Sequence, residues 1–164
     1  MSSRNSSAAT SRGSVTAACS FMFIGEYHHQ IDDKGRIAVP VKFRPDLKKG
    51  AVVTRGLDSS LFLLPLEEWG KLASSLAGLP LGQSNSRAFA RLMLAGAMDV
   101  NIDKQGRFVV PEYLREYAGL NKKVVIVGLN TRLELWNEDK WEAYKSQTEQ
   151  DAEKIAEQLG ELGI

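Results

Sequence analysis

Hydrophobic and polar residues alternate in a short segment that occurs twice, and each time a glycine-containing turn follows it. The alternating positions are Tyr27, His29 and Ile31 in the first copy and Met98, Val100 and Ile102 in the second. A period of two residues predicts a half-buried β-strand. After the turn come "IAV" or "FVV" and then Pro40 or Pro111, a residue suited to the first position of a short helix.

Two further strands and a second helix complete each copy. The strand segments are "AVVTRG" and "LFLL" in one copy and "VVIVG" and "LELW" in the other, and the helices contain Trp69 and Trp141. Residues 27–47 align with 98–118, and residues 49–69 align with 121–141. The aligned identities include Asp32 with Asp103, Gly35 with Gly106, Arg36 with Arg107, Pro40 with Pro111 and Arg44 with Arg115. The order β, turn, β, α, β, β, α is therefore predicted twice.

A unit of this size has too little core to be stable alone, whereas two units wrapped around each other can close one sheet. We therefore predict an α+β fold in which two intertwined β-α-β repeats form one pseudo-two-fold barrel with packing helices. The predicted units are 26–73 and 102–145, followed by a C-terminal helix and tail, 146–164. Residues 1–21 are rich in Ser, Ala and Thr and are predicted to be a disordered leader or extension.

Two helical stretches lie outside the repeated pattern. Residues 84–98 place Phe89, Leu92 and Met93 at helical spacing, with Ser84 or Ser86 as a possible cap and Gly96 near the end. The second helix is expected to begin after Asn137, with a continuous apolar seam. That seam comprises Trp141, Tyr144, Thr148, Ala152, Ile155, Leu159 and Leu162. The seams at 84–98 and 138–159 are candidates for packing between units or subunits, or for covering the sheet of their own chain.

The overall charge is nearly balanced, which changes what the basic residues can do. The chain of 164 residues has 21 basic and 20 acidic side chains and a net charge of +1. Such a chain does not coat nucleic acid by charge alone, so DNA binding would need a few well-placed residues or several subunits. The single cysteine, Cys19, has no partner for a disulfide or a zinc site. No apolar run is long enough to span a membrane.

The doubled turn carries the candidate chemistry. In one interpretation the motif is structural: Asp32 and Asp103 cap the turns, each arginine pairs with its aspartate, and the turn closes a hairpin. In the other, a pseudo-dyad presents Arg36 and Arg107 together. An arginine held out by a turn can contact guanine O6 and N7, while neighbouring lysines bind phosphates. Lys34 in the first copy and Lys104 in the second supply positive charge beside the arginines.

The segments "MFIGEYHHQIDDKGRIAVPVKFR" and "DKQGRFVVP" resemble the MraZ family, and each unit resembles the swapped-hairpin fold of AbrB-type regulators. The resemblance runs from Met22 to the end of the chain. It implies a cytoplasmic, nucleoid-associated transcription factor that forms a ring. The implied DNA target is a set of short G-containing direct repeats upstream of the division and cell-wall gene cluster, which includes the factor's own gene.

The resemblance also assigns residues. It implies that Arg36 and Arg107 read bases, that Lys34 is a further DNA contact, and that Asp32 and Asp103 orient the arginines. Lys104 is a weaker DNA-binding candidate. Gln105 stands where the first copy has Lys34 and supplies no charge.

The alternatives to this function are an enzyme site, a protein-binding module and a metal site. An enzyme using the Asp and Arg residues is disfavoured, because a solvated turn is a poor place to tune a general acid or base; no catalytic residue is predicted. A protein-binding scaffold or antitoxin-like module could use the same turns. His28 and His29 are strand neighbours that point to opposite faces, so we predict no metal site there. No cofactor is predicted.

Overall fold

The computed structural model describes residues 22–163, and its elements follow one order twice. The first copy comprises β1 (Phe23–Gln30), β2 (Arg36–Ala38), α1 (Arg44–Leu47), β3 (Ala51–Arg55), β4 (Leu61–Pro65) and α2 (Leu66–Ala77). After α3 (Ser84–Ala90), the second copy comprises β5 (Met98–Val100), β6 (Arg107–Val109), α4 (Glu112–Ala118), β7 (Lys123–Asn130), β8 (Leu133–Asn137) and α5 (Glu138–Gln150), and α6 (Ala152–Gly160) follows. The predicted order is confirmed. The prediction for residues 1–21 lies outside the described residues.

The strands of the two copies pair with each other. The large sheet has six strands in the order β1-β7-β8-β4-β3-β5, and a separate ribbon pairs β2 with β6. The first strand of each copy therefore lies beside the third strand of the other, as β1 with β7 and β5 with β3. Exchanging equivalent strands of the two copies gives the same order read from the other edge of the sheet. An approximate two-fold axis therefore passes between β4 and β8. The predicted α+β class is confirmed.

One apolar core is shared by both copies. The short helical segment of each copy points one apolar pair inwards, so that Phe43 and Leu47 are buried like Leu114 and Ala118. They pack with Ile37 and Phe108 from the ribbon and with residues of the large sheet: Phe23, Val53, Leu61, Leu63, Val124, Ile126, Leu133 and Leu135. The ribbon is therefore fixed to the body of the molecule by its inner face.

The two prolines occupy the N-cap position, one residue before the predicted first helical position. Pro40 immediately precedes a 3₁₀ turn, Val41–Phe43, and Pro111 immediately precedes α4. Both prolines have the extended ψ of a capping residue, 136° and 147° respectively. They therefore end the preceding strand as well as starting the helix.

The segment 84–98 is less regular than predicted. α3 gives way to a wider π-helical turn, Arg91–Ala95, which stops at Gly96 as expected. The expected serine caps are wrong, because the helix begins at Ser84 itself, after Gln83, and no side chain caps it. Met93 is buried, whereas Phe89 is exposed. Only the end of this segment therefore covers the sheet of its own chain.

The C-terminal helix is not continuous, contrary to the prediction. Its start is as expected, because Asn137 Oδ1 accepts a hydrogen bond from the backbone N–H of Lys140 at 3.0 Å. The helix breaks at Asp151, whose backbone leaves helical geometry (φ −98°, ψ 5°) and whose carboxylate accepts a bond from Gln147. The predicted seam is largely exposed beyond the break, with Ile155 at 38% and Leu159 at 40% exposure.

The copies differ in how firmly their first strands pair. β1 is eight residues long and pairs with β7 from Phe23 to Gln30. β5 is only three residues long and pairs with β3 over Met98–Val100. Trp69 and Trp141 occupy matching positions and are half-buried against separate apolar clusters.

Candidate functional site

In the first copy, one carboxylate organises the turn between β1 and β2. Asp32 Oδ1 accepts hydrogen bonds from the backbone N–H groups of Lys34 and Arg36, both at 2.9 Å. Asp32 Oδ2 accepts a bond from Arg36 Nε at 2.7 Å. The turn closes through Gly35 N–H to the Asp32 carbonyl at 2.9 Å. The aspartate thus fixes both the backbone and the arginine side chain.

The second copy repeats this arrangement residue for residue. Asp103 Oδ1 accepts from the backbone N–H groups of Gln105 and Arg107, at 2.8 and 2.9 Å. The Arg107 Nε to Asp103 Oδ2 distance is longer, 3.4 Å. Gly35 and Gly106 both have positive φ, 80° and 76°, which a residue with a side chain adopts only under strain. These two glycines explain why the motif needs Gly at its fourth position.

Both aspartates are held in the ionised form. Hydrogen bonds from the backbone N–H of Arg36 lower the pKa of Asp32, and those from Arg107 lower the pKa of Asp103. Because each arginine uses Nε for the aspartate, its two Nη nitrogens stay available. Within residues 22–163, those Nη nitrogens have no hydrogen-bond partner.

The ribbon places the two arginines on the same surface. Arg36 pairs with Val109, and Ala38 pairs with Arg107. Paired residues of antiparallel strands point to the same face, as do residues two apart along a strand, so both arginines share one face. Their Cα atoms are diagonal neighbours, roughly 7–8 Å apart. The side chains of Arg36 and Arg107 are 35% and 32% exposed, while Ile37 and Phe108 face the core.

The predicted lysines lie on the turns beside this face. Lys34 and Lys104 are both exposed, and neither forms an ion pair with another residue in the described part of the chain. Lys34 is the third residue of its turn and Lys104 the second residue of the other. The six predicted residues lie on the two turns at the ends of the ribbon: Lys34, Arg36, Arg107, Lys104, Asp32 and Asp103.

Sequence reasoning missed a second pair of arginines at this site. Arg44 donates from Nε to the Val39 carbonyl at 2.9 Å, and Arg115 donates to the Val110 carbonyl at 3.0 Å. Each packs against the turn glycine of the other copy, because a Cβ at Gly106 would overlap Arg44 and one at Gly35 would approach Arg115. The signal was present, since the alignment of the copies pairs these two arginines.

The ribbon and turns are also linked across the copies through the backbone. Val39 N–H donates to the Gly106 carbonyl, and Val110 N–H donates to the Gly35 carbonyl, both at 2.8 Å. Each turn is therefore held by the strand of the opposite copy. Together with the crossed arginines, these bonds connect the two turns through the ribbon.

His28 and His29 follow each other on β1 and point to opposite faces of it. His28 lies near Glu26 and Glu142, with one potential ligand atom of each residue within 4.8 Å of the others. Lys145 already pairs with both carboxylates, at 3.0 Å from Glu26 and 3.5 Å from Glu142. The hydrogen bond from Lys145 lowers the pKa of Glu26. This cluster is thus a closed network of ion pairs on the surface.

The fold and turns define a tandem-repeat α+β protein whose two copies exchange strands and present one arginine each on a shared ribbon. The model of a family described as "MraZ protein, putative antitoxin-like" matches the chain twice, at residues 22–92 and 93–161. The chain belongs to the MraZ family. No helix within residues 22–163 is long and apolar enough to cross a membrane.

Curated relatives agree with this assignment. A protein of Acetivibrio thermocellus named "Transcriptional regulator MraZ" is 49% identical over 143 residues, which cover 87% of this chain and all of the relative. Proteins of the same name from Halothermothrix orenii and Clostridium tetani are 48% and 47% identical over the same lengths.

Proposed function

We propose that this protein is a sequence-specific DNA-binding transcription regulator that uses the ribbon face as its reading surface. The observation that carries the proposal is the placement of Arg36 and Arg107 on one exposed face, each fixed through Nε by an aspartate. The regulator name of the relatives supports the same function. In this proposal the crossed pairing of the copies is the swapped-hairpin barrel of AbrB-type proteins.

The chemistry follows from the free ends of the arginines. Two Nη nitrogens on a planar guanidinium match O6 and N7 of guanine, which both accept hydrogen bonds in the major groove. The aspartate reduces the rotamer freedom that each arginine would lose on binding. Lys34 extends beyond its turn and is assigned to a phosphate, which positions the protein without reading sequence. Lys104 adds positive charge beside the second turn.

Several subunits would act together on short direct repeats. The net charge of +1 gives each chain little affinity of its own, so linked sites must raise the effective concentration. The exposed apolar residues of α5 and α6, Tyr144, Ile155 and Leu159, offer surface for assembly. We propose a ring that binds G-containing repeats upstream of the division and cell-wall gene cluster, including the protein's own gene.

The direct test is a gel shift with that upstream DNA and with a scrambled duplex of equal length. Arg36→Ala and Arg107→Ala should each lower the affinity for the upstream DNA by about tenfold or more, since one bidentate contact contributes about 1–3 kcal/mol of discrimination. Affinity for the scrambled duplex should fall less. Arg91→Ala, an exposed arginine remote from the ribbon, is the matched control. Unchanged affinity for both test variants would contradict the proposal.

A salt titration distinguishes DNA binding from recognition of a partner protein through the same turns. Release of counterions makes the logarithm of the DNA association constant fall linearly with the logarithm of salt concentration. A flat salt dependence, or no binding by the wild type, would favour the protein-binding module. Light scattering on an Ile155→Ser, Leu159→Ser variant tests assembly, and a smaller particle is expected.

A further inference from the structure

Each turn borders an open pocket, and the two pockets are related by the approximate two-fold axis. The pocket beside the first turn has a volume of about 590 Å³ and is lined by Asp32, Asp33, Arg115 and Lys122 among others. The pocket beside the second turn has a volume of about 490 Å³ and is lined by Arg44, Lys48, Asp103 and Lys104 among others. The pockets correspond in position, because Arg44 takes the place of Arg115 and Asp103 that of Asp32.

Their charges differ. In the first pocket the two acidic residues balance the two basic ones. In the second pocket three basic residues face one acidic residue, Asp103, and in both pockets the turn aspartate pairs with the arginine of its own turn. Within the described part of the chain, Arg44, Lys48 and Lys104 form no ion pair. The second pocket is therefore a cluster of uncompensated cations, and such a cluster attracts an anion.

Arg44 is positioned before any ligand arrives. Its Nε is bonded to the Val39 carbonyl, and its guanidinium lies against Gly106, where only a residue without a side chain fits. Both Nη nitrogens remain without a partner among the described residues. Two or more N–H donors held in a fixed fork match the oxygens of a phosphate. Lys48 and Lys104 are exposed and add charge at the rim.

We propose that the pocket formed by Arg44, Lys48 and Lys104 binds a backbone phosphate of the duplex that the ribbon reads. This inference rests on the proposed DNA-binding function and adds a site to it. The second turn carries Gln105 where the first carries Lys34, so it lacks the turn lysine at that position. The pocket restores positive charge beside that turn, and each arginine of the ribbon then has a phosphate contact next to it.

The test compares a set of matched variants. For each variant it measures the slope of the logarithm of the DNA association constant against the logarithm of salt concentration. Arg44→Met, and separately the double variant Lys48→Met, Lys104→Met, should each reduce the slope by about 0.9, the value for one phosphate contact. Affinity at 0.15 M salt should fall about fivefold for upstream and scrambled DNA alike. The double variant changes only exposed side chains, so it remains informative if Arg44→Met folds poorly.

Two control variants separate a pocket from general electrostatics. Lys122→Met removes an exposed lysine that lines the balanced pocket, and Lys49→Met removes an exposed charge next to Lys48 that does not line the second pocket. Both should leave the slope unchanged. Slopes equal to wild type in the Arg44 and double variants, or an equal reduction in Lys122→Met, would overturn the inference.

Lysine labelling gives an independent readout. Acetylation of the wild-type protein, read by mass spectrometry, should show that either duplex protects Lys48 and Lys104 but not Lys49. Labelling of Lys48 and Lys104 that is the same with and without bound duplex would overturn the inference. If Arg36→Ala still loses upstream DNA in that case, the proposed function stands and only the pocket is refuted. A wild type that binds no duplex refutes the proposed function itself.

Discussion

The turn of the first copy and the turn of the second share every backbone hydrogen bond but differ in the side chains around them. Asp32 holds Arg36 Nε at 2.7 Å, whereas Asp103 holds Arg107 Nε at 3.4 Å. The first turn carries its own lysine before the glycine, while the second has Gln105 and a cationic pocket beneath it. The shared backbone is what presents the arginines, and in the proposed function the differing side chains adjust how each copy contacts DNA.

The largest effect is expected from the turn glycines. Gly35→Ala and Gly106→Ala should each lower the free energy of unfolding by about 2 kcal/mol, because φ is positive at both. Neither position has room for the added Cβ, since at Gly35 it would meet the Val110 carbonyl and at Gly106 it would overlap Arg44, which is held through Nε by the Val39 carbonyl. Urea unfolding at fixed protein concentration measures both, with Gly82→Ala, whose Cβ meets nothing, as the control. Equal stability of all four proteins would contradict the strained geometry.

The next effect concerns the aspartates. Asn in place of Asp keeps an oxygen for the backbone N–H groups but loses the ion pair with the arginine. Asp32→Asn should therefore reduce the affinity for upstream DNA by about tenfold. Asp103→Asn should reduce it less, because its arginine is held more loosely. Fluorescence anisotropy with the upstream duplex tests the order, and a larger loss in Asp103→Asn would contradict the comparison.

Acidification tests both turns together. The folded protein lowers the pKa of Asp32 and Asp103 from an ordinary value of 3.8, so the ionised carboxylates stabilise the fold. This stabilisation is complete above the unfolded pKa and is lost as the pH falls through the lower folded pKa. The melting temperature of the wild type should therefore fall more steeply below about pH 4 than that of an Asp32→Asn, Asp103→Asn variant. Parallel curves would show that the carboxylates do not contribute.

The smallest effect is expected from exchanging the turn side chains. Gln105→Lys gives the second turn the residue of the first and should steepen the salt slope by about 0.9. Lys34→Gln is the reciprocal change and should make the slope shallower by a similar amount. Both should act on upstream and scrambled DNA alike if the residue meets only phosphate. A change confined to the upstream duplex would instead assign base reading to this position.

The repeat was readable from the sequence because its signals are local. Alternation and the glycine before the arginine each depend on a few neighbouring residues, and the structure has a strand and a turn at these positions in both copies. The break at Asp151 was not readable, since the apolar spacing continues through it. The π-helical turn at Arg91–Ala95 was missed for the same reason.

The site was predicted in part for a related reason. Asp32 and Arg36 lie in one turn, so their contact follows from spacing. Arg44 contacts Gly106 only because the two copies cross within the fold. No local pattern encodes a contact between residues so far apart in the sequence. The alignment of Arg44 with Arg115 marked the pair as equivalent without indicating what either one touches. Crossed contacts of this kind become visible only when the whole topology is known.

The crossing of strands also has a consequence for synthesis. The first strand, β1, pairs with β7, and Phe23 pairs with Asn130. β1 therefore has no partner strand until the second half of the chain has been synthesised. While the ribosome is still making the second half, the first half has unpaired strand edges and an open core, a state prone to association with other chains. Two separately expressed halves, cut in the loop after α2, should for the same reason be poorly soluble alone and recover the native fold when co-expressed.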